Sequence, residues 1–362
     1  MNRGITGSYD ASDVLFLLKP VVIEVTPVEQ KERFIQSGKR HYSEMIGEES
    51  PPDSEYMEFF HDAFQANACR IGQDLDQLAE ALLQRHPKGL VLLSLARAGT
   101  PPGIVLSRLI RDRGAKCPHY SISIIIGRGV DHNAIDHSRA QHPDLPIVFV
   151  DGWTGKGTIA RELRRCIGEY NAYSGAKLDP GLIVISDLCG EAALAATDED
   201  YLIPSGILGG IISGLVSRSI LNKTVVGPSD FHACTILEHL VPHDISRWFV
   251  DTVTSLARKS RESTKPANPC DSFRESGKVA VEKLSQILKM RHGVSDLGLV
   301  KLGISEATRA LFRRVPRMII VQSQSSPEIR HLLHLARQRN APVLEDQEIP
   351  YKAVALIREM SP

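Results

Sequence analysis

PIVFVDGWTGKGTIARELRR, residues 146–165, is the stretch on which the fold turns. An apolar run, Ile147 to Val150, ends in Asp151. A loop carrying Gly152, Thr154, Gly155, Lys156, Gly157 and Thr158 follows, and then Ile159 and Leu163 stand one helical turn apart. A buried strand, a glycine-rich turn and a helix start are the parts of a phosphate cradle. Glycines let backbone N–H groups turn toward an anion, hydroxyls add donors, and the helix N-terminus contributes partial positive charge. The expectation is a phosphorylated sugar or nucleotide as ligand. A tight strand-to-helix turn that binds nothing has much the same appearance, so the loop needs company.

Outward from this stretch, strand-like runs recur at Val21–Val25, Leu90–Leu95, Ser121–Ile126 and Leu182–Ser186, with helical periodicity at Gln73–Gln84 and Gly103–Arg111. Val/Ile/Leu-rich strands alternating with helices predict an α/β fold with a mostly parallel sheet covered on both faces. Two more loops leave the ends of apolar strands, where ligands sit in open α/β sheets. One holds Arg97, Ala98, Gly99 and Gly103; Arg97 offers a bidentate fork for phosphate, and the glycines permit tight turns beside it. The other, Ile126 to His132, is a flexible basic loop in which Arg128 could close over a substrate. The loop is no Walker A sequence, since Gly157 stands where Ser or Thr would hold magnesium.

The chain has 362 residues, room for two domains, with 42% hydrophobic and 24% charged residues, ordinary for a globular protein. Its six cysteines form neither a disulfide framework nor a zinc pattern, which fits a reducing cytoplasm. The N-terminus makes a poor signal peptide, no run approaches the roughly 20 apolar residues of a membrane span, and no metal-ligand cluster is legible. The stretch Ala257–Gly277 is polar with two prolines and reads as a linker, placed at 258–277, between a domain at 1–257 and another at 278–362. In the second domain helices are expected at Val279–Met290, Ser305–Arg313, Glu328–Gln338 and Tyr351–Glu359. Strands are expected at Met318–Gln322 and Pro342–Leu344, the whole making a small αβα sandwich. From Lys278 onward 14 Lys/Arg face 8 Asp/Glu, a net +6 on a neutral chain, which suggests a polyanionic partner or simply solvated arginine faces.

The three loops together resemble the type I phosphoribosyltransferase fold. In that family acids after an apolar strand hold the ribose hydroxyls, a Thr/Gly loop holds the 5′-phosphate, and a separate loop takes the diphosphate with magnesium. The resemblance implies Asp151 on the ribose, Thr154 to Thr158 on the 5′-phosphate, and Arg97, Ala98 and Gly99 on the diphosphate of phosphoribosyl pyrophosphate. Here Asp151 is followed by Gly152 where the family usually has a second acid, and Trp153 sits inside the loop. The strings at Ser37–Tyr56, Leu95–Gly103, Val148–Thr158 and Asp200–Ser219 resemble a narrower group. These are phosphoribosyltransferase-like proteins of bacterial tellurite-resistance and stress gene clusters, some labelled cysteine protease StiP and often fused to a Pelota-like RNA-binding domain. The resemblance implies a ribosyl transfer to an unnamed acceptor, a fold that often dimerises, and RNA as partner. A sensor that binds a nucleotide without turnover is the alternative.

In the second domain, Lys301, Gly303, Ser305, Glu306, Thr308, Arg309 and Arg313 resemble the RNA-contacting turn of Pelota, with Ser305 in place of the usual Asn. Helix N-terminus and cations would meet phosphates while Glu306 accepts from base edges. Read without the family, Ser305 is an N-cap, and Arg309 with Arg313 is a solvated stripe at helical spacing. A thiol protease needs a thiolate activated by His or a helix N-terminus. Cys234, near His232, His239 and His243, and Cys189, near Asp187, are the candidates, and neither stands in a recognised nucleophile motif. Asp187 reads as an acceptor contact or as a cap, and Lys39 to Glu44 as part of the site or as an exposed polar turn.

Overall fold

Every residue of Val91–Leu95 is buried, so this segment fits only a sheet covered on both sides. It is β3 of a parallel sheet in the computed structural model, which describes residues 4–261, 271–294 and 296–359. The strand order is β1 (Leu15–Phe16), β4 (His119–Ile122), β3, β7 (Ile147–Val150), β9 (Leu182–Asp187) and β10 (Leu194–Thr197), and β8 (Trp153–Thr154) also pairs with β9. Two short pairs stand apart: β2 (Lys19–Pro20) with β11 (Ala233–Cys234), and the hairpin β5 (Ile124–Ile125) with β6 (Gly129–Val130). The predicted parallel α/β architecture is therefore present.

Helix α1 (Val28–Gln36) lies outside the sheet layers proper. One face of the sheet is covered by α2 (Ser54–Arg85), α3 (Thr100–Asp112) and α6 (Ser246–Ser260), whose Leu75, Leu78, Ile104, Leu109 and Val253 share one cluster with the strand residues Leu92 and Val150. The other is covered by α4 (His132–Gln141) and α5 (Thr158–Ser174) through Ile135, Leu163 and Ile167, packed with Leu93 and Phe149. Asp53 caps α2 by accepting from the Tyr56 N–H at 2.7 Å. The helix extends well N-terminal to the periodic stretch at Gln73–Gln84.

The second sheet has the order β12 (Val300–Leu302), β15 (Ala353–Ile357), β13 (Pro316–Val321), β14 (Val343–Glu345), with β15 antiparallel to both neighbours. Helices α7 (Asp271–His292), α8 (Ile304–Arg313) and α9 (Arg330–Gln338) accompany it. Three expectations need correction. The segment expected as a last helix, Tyr351–Glu359, is strand β15: its apolar run AVALI is wholly buried, and such a run serves a central strand as well as a helix. Val21–Val25 forms no strand; Val22 is 97% exposed, and only Val25 bridges to Ile46. The polar stretch at 257–277 is helical at both ends, because α6 continues to Ser260 and α7 starts at Asp271; residues 262–270, with Cys270, lie outside the described residues.

The two sheets do not keep separate cores. Trp153, Ile203, Ile207 and Leu208 belong to the same buried cluster as Ile304, Leu311, Ile329 and Leu332. Tyr56 sets its ring edge-on to Phe312 at 5.7 Å, and its hydroxyl donates to the Ile207 carbonyl at 2.7 Å. A shared apolar core fixes the second domain on the first, and it does so over the C-terminal ends of the parallel strands.

Candidate phosphate site between the domains

Strands β3 and β7 end side by side, which brings the loops after them together. A Cβ on Gly99 would lie 2.4 Å from the Val150 carbonyl oxygen, so only glycine allows this approach. Between the loop after β7 and the second domain is a cavity of about 370 Å³. Arg97, Ala98, Asp151 and Thr154 to Thr158 line it from one side, and Lys301, Glu306, Arg309 and Arg313 from the other. The residues read as a phosphate cradle and those read as an RNA-contacting turn thus face each other across one space.

On the first side, Gly157 precedes α5 with φ +74°, a conformation that favours glycine and presents the helix N-terminus to the cavity. Thr158 opens that helix. Thr154 is not free for a ligand: its hydroxyl donates to Asp187 at 2.6 Å and accepts from the Leu188 N–H at 2.9 Å. Asp187 also accepts from the Ala192 N–H at 2.9 Å, so it organises its own loop. The Lys156 ammonium donates to the Leu297 carbonyl of the second domain. Burial and the nearby Lys301 lower its pKa to about 8. Asp151 accepts from the Gly152 N–H at 2.8 Å, and burial pushes its carboxyl up to about 7.

Arg97 does not present an empty fork. It is 4% exposed and holds both Glu49 oxygens, at 2.6 and 2.7 Å, and the Val216 carbonyl at 2.6 Å. Burial alone would raise the Glu49 carboxyl, but Arg97 and Arg313 outweigh it and hold the group at about 2. Arg128 is not brought to the cavity; it pairs with Glu44 at 2.9 Å. Its loop is no open lid either. It is the β5–β6 hairpin, pinned where Tyr42 accepts from the Ile126 N–H at 2.7 Å and Glu162 from the Gly129 N–H at 3.1 Å. The segment Lys39 to Glu44 thus braces this hairpin. Gly103 serves packing, for a Cβ there would meet Ser94 Oγ at 2.0 Å.

On the second side, Gly303 precedes α8 with φ +83°. The cap of that helix comes from the first domain: Asp200 accepts from the Ile304 N–H at 2.9 Å and from the Lys352 N–H at 2.8 Å. Ser305 is therefore no N-cap; it is buried against Gly206. Glu306 lies on Gly155 and accepts from the Trp153 indole N–H at 3.2 Å, while Arg309 stacks over the same ring at 4.6 Å. Arg309 and Arg313, read as a solvated stripe, point inward instead. The sequence reading gave Glu49 and Arg218 no role, although both lie in strings that carry the narrower resemblance; Trp153 inside the phosphate loop was the visible signal that something packs there.

Three buried thiols are kept protonated. Burial pushes Cys117, Cys189 and Cys234 each up to about 12, and the Cys189 thiol faces Asp187 at 3.6 Å. The histidines near Cys234 are engaged elsewhere, His232 with Ser123 at 2.8 Å and His239 with the Glu49 carbonyl at 2.7 Å. Among the described residues no group of three His, Cys, Asp or Glu could hold a metal ion, and no helix is long and apolar enough to cross a membrane.

Residues 7–254 match the family described as tellurite-like stress resistance cysteine protease StiP, and residues 278–359 match the PELOTA RNA binding domain. A protein of Acinetobacter baylyi named cysteine protease StiP is 38% identical over 373 residues, covering 99% of this chain and 96% of that one. A hypoxanthine phosphoribosyltransferase from Trypanosoma cruzi with bound IMP aligns at TM-score 0.26 and 14% identity, over 35% of this chain and 66% of its own. A hypothetical protein from Neisseria gonorrhoeae with bound ppGpp aligns at TM-score 0.24 and 16% identity, over 34% and 68%.

Proposed function

The chain belongs to the StiP family and carries a Pelota RNA-binding domain, and we propose that it binds phosphoribosyl pyrophosphate, or a nucleotide like it, and transfers ribose 5-phosphate to an acceptor. One observation carries the reading: the glycine loop, the N-terminus of α5, Asp151 and the arginines open into a single cavity at the strand ends. The amides of Gly155 to Thr158 hold the 5′-phosphate. Asp151, half protonated near neutral pH, donates to or accepts from a ribose hydroxyl. A nitrogen acceptor forms its bond to C1 as the C1–O bond breaks. Diphosphate leaves with the electron pair, and the acceptor's proton goes to water. Such catalysis is positioning and charge stabilisation, with no protein nucleophile.

Magnesium would accompany such a ligand in the resembling fold. The residues here do not fit a protein-held divalent cation: Asp151 is bonded to its own loop and half neutral, and Glu49 is committed to Arg97. Guanidinium groups supply the positive charge. The thiol chemistry in the family's description finds no support in Cys189 and Cys234, whose thiols burial keeps protonated.

The test is pyrophosphate release from phosphoribosyl pyrophosphate in a metabolite extract, beside Asp151→Asn. Release that the variant reduces at least about tenfold supports the transferase. Binding without release from any extract overturns it and leaves a nucleotide sensor.

A further inference from the structure

Cations buried without acceptors are expensive, because desolvation is offset only by an opposite charge or by hydrogen bonds. The domain interface concentrates them. Arg309 Nε is buried with no hydrogen-bond partner, and Arg313 makes no hydrogen bond or ion pair among the described residues. Lys31, 5% exposed, is in the same position. Burial and its cationic neighbours lower Lys31 to about 8, and burial with Arg309 and Arg97 lowers Arg313 to about 9. Glu49 reaches among them, but Arg97 already occupies both its oxygens, and Glu306 and Asp151 face Arg309 from the phosphate cavity. The other arginine here, Arg218, donates to the Tyr42 and Met45 carbonyls.

The space beside these cations is open. A second cavity of about 350 Å³ adjoins the phosphate cavity, and Arg97, Arg218, Arg309 and Arg313 line both. Lys31 lines only the second, where Tyr56 and Phe312 give it an aromatic wall. Four guanidiniums thus stand between two chambers, with Glu49 on one side and Glu306 and Asp151 on the other.

We propose that Arg309 and Arg313, contributed by the Pelota domain, form with Lys31 and Arg218 a diphosphate subsite that spans the domain interface. The proposal rests on the phosphate-cavity reading above and deepens it: it assigns the diphosphate to the second domain and not to the Arg97 loop. The bound group is a small polyanion carrying adjacent phosphates. RNA phosphates share that chemistry, but Lys301, Ser305, Arg309 and Arg313 face inward, onto the first domain, where a duplex has no path. The same residues in a free Pelota domain would face solvent, so here they work as a phosphate clamp.

Inorganic pyrophosphate, without added metal, is the probe, measured by calorimetry and thermal melting on the full chain. Arg309→Met and Arg313→Met should each weaken binding about 10- to 100-fold, the loss expected for one charge-assisted contact. Arg291→Met, on the exposed outer face of the second domain, should leave it unchanged. A second readout guards against misfolding. Removing an unpaired cation relieves repulsion, so Arg313→Met should raise the ligand-free melting temperature by roughly 2 °C while abolishing the rise that pyrophosphate gives the parent. A lowered ligand-free melting temperature with unchanged pyrophosphate binding would overturn the proposal. So would Arg313-dependent binding of a 5′-hydroxyl RNA alongside pyrophosphate binding that ignores Arg313. Failure of the transferase reading looks different: pyrophosphate still binds through Arg309 and Arg313, but no pyrophosphate is released from phosphoribosyl pyrophosphate.

Discussion

The two walls of the phosphate cavity were built by different means. The wall from the first domain is local: a strand, Gly157 with φ +74° and a helix start, all within twenty residues of sequence. The wall from the second domain is a docked surface, and the roles of its residues depend on what it docks against. Arg309 and Arg313 at helical spacing are a solvated stripe on an isolated helix, yet a buried cationic cluster once Trp153, Tyr56 and Glu49 lie opposite. Charge on a surface is cheap and becomes costly only when another surface covers it, so a cluster that persists under cover asks for a counter-charge.

The sharpest way to break this contrast is at Glu49, the carboxylate that reaches into the cationic wall. Glu49→Ala removes the carboxylate partner of a 3% exposed guanidinium, leaving it only the Val216 carbonyl, and should cost about 3 kcal/mol in urea unfolding, as for other broken buried pairs. Saturating pyrophosphate should recover part of it; no loss of stability would mean that the wall needs no counter-charge. Asp200→Ala comes next. It leaves two amides of the second domain without acceptors and should cost about 2 kcal/mol, seen as faster hydrogen exchange at Ile304 and Lys352. Unchanged exchange would show that the docking relies on the apolar core alone.

The smallest effect belongs to pH. Burial raises Asp151 to about 7, so below that pH the cavity faces an anion with a neutral acid and above it with a carboxylate. Relative to Asp151→Asn, pyrophosphate affinity should fall several-fold as pH rises from about 6 to 8. The sign for stability is the same. The folded-state pKa lies above the unfolded carboxyl value, so the contribution is fully present below the unfolded pKa and is lost as pH rises toward 7. A flat ratio across this range would place Asp151 away from the anion.

Much of the first domain was legible because its signals are local. VLLSL and IVFV, apolar but for Ser94, demand a sheet covered on both faces, and the loop after Val150 declares its turn through glycine. The last strand was not legible, since AVALI suits a helix or a central strand until β12 and β13 flank it. Nor was the pairing of Arg97 with Glu49, 48 residues apart in sequence. Arg128 misled for the opposite reason: its loop is rich in glycine and looks free, but Tyr42 and Glu162 tie down amides that the motif alone leaves open. In the second domain the Pelota likeness was legible, but the inward setting of Arg309 and Arg313 was not, because side-chain type says nothing of which domain will cover it.

The stacking of Arg309 on Trp153 gives the chain an optical consequence. It has only two tryptophans, and the other, Trp248, sits on α6 among Phe60 and Phe64, with no part in the cavity. With Trp248 replaced by Phe, all indole emission would come from a ring that lies under a guanidinium and donates its N–H to Glu306. Any anion that draws Arg309 away changes the field across that ring, so its colour and intensity would track occupancy in real time without a label.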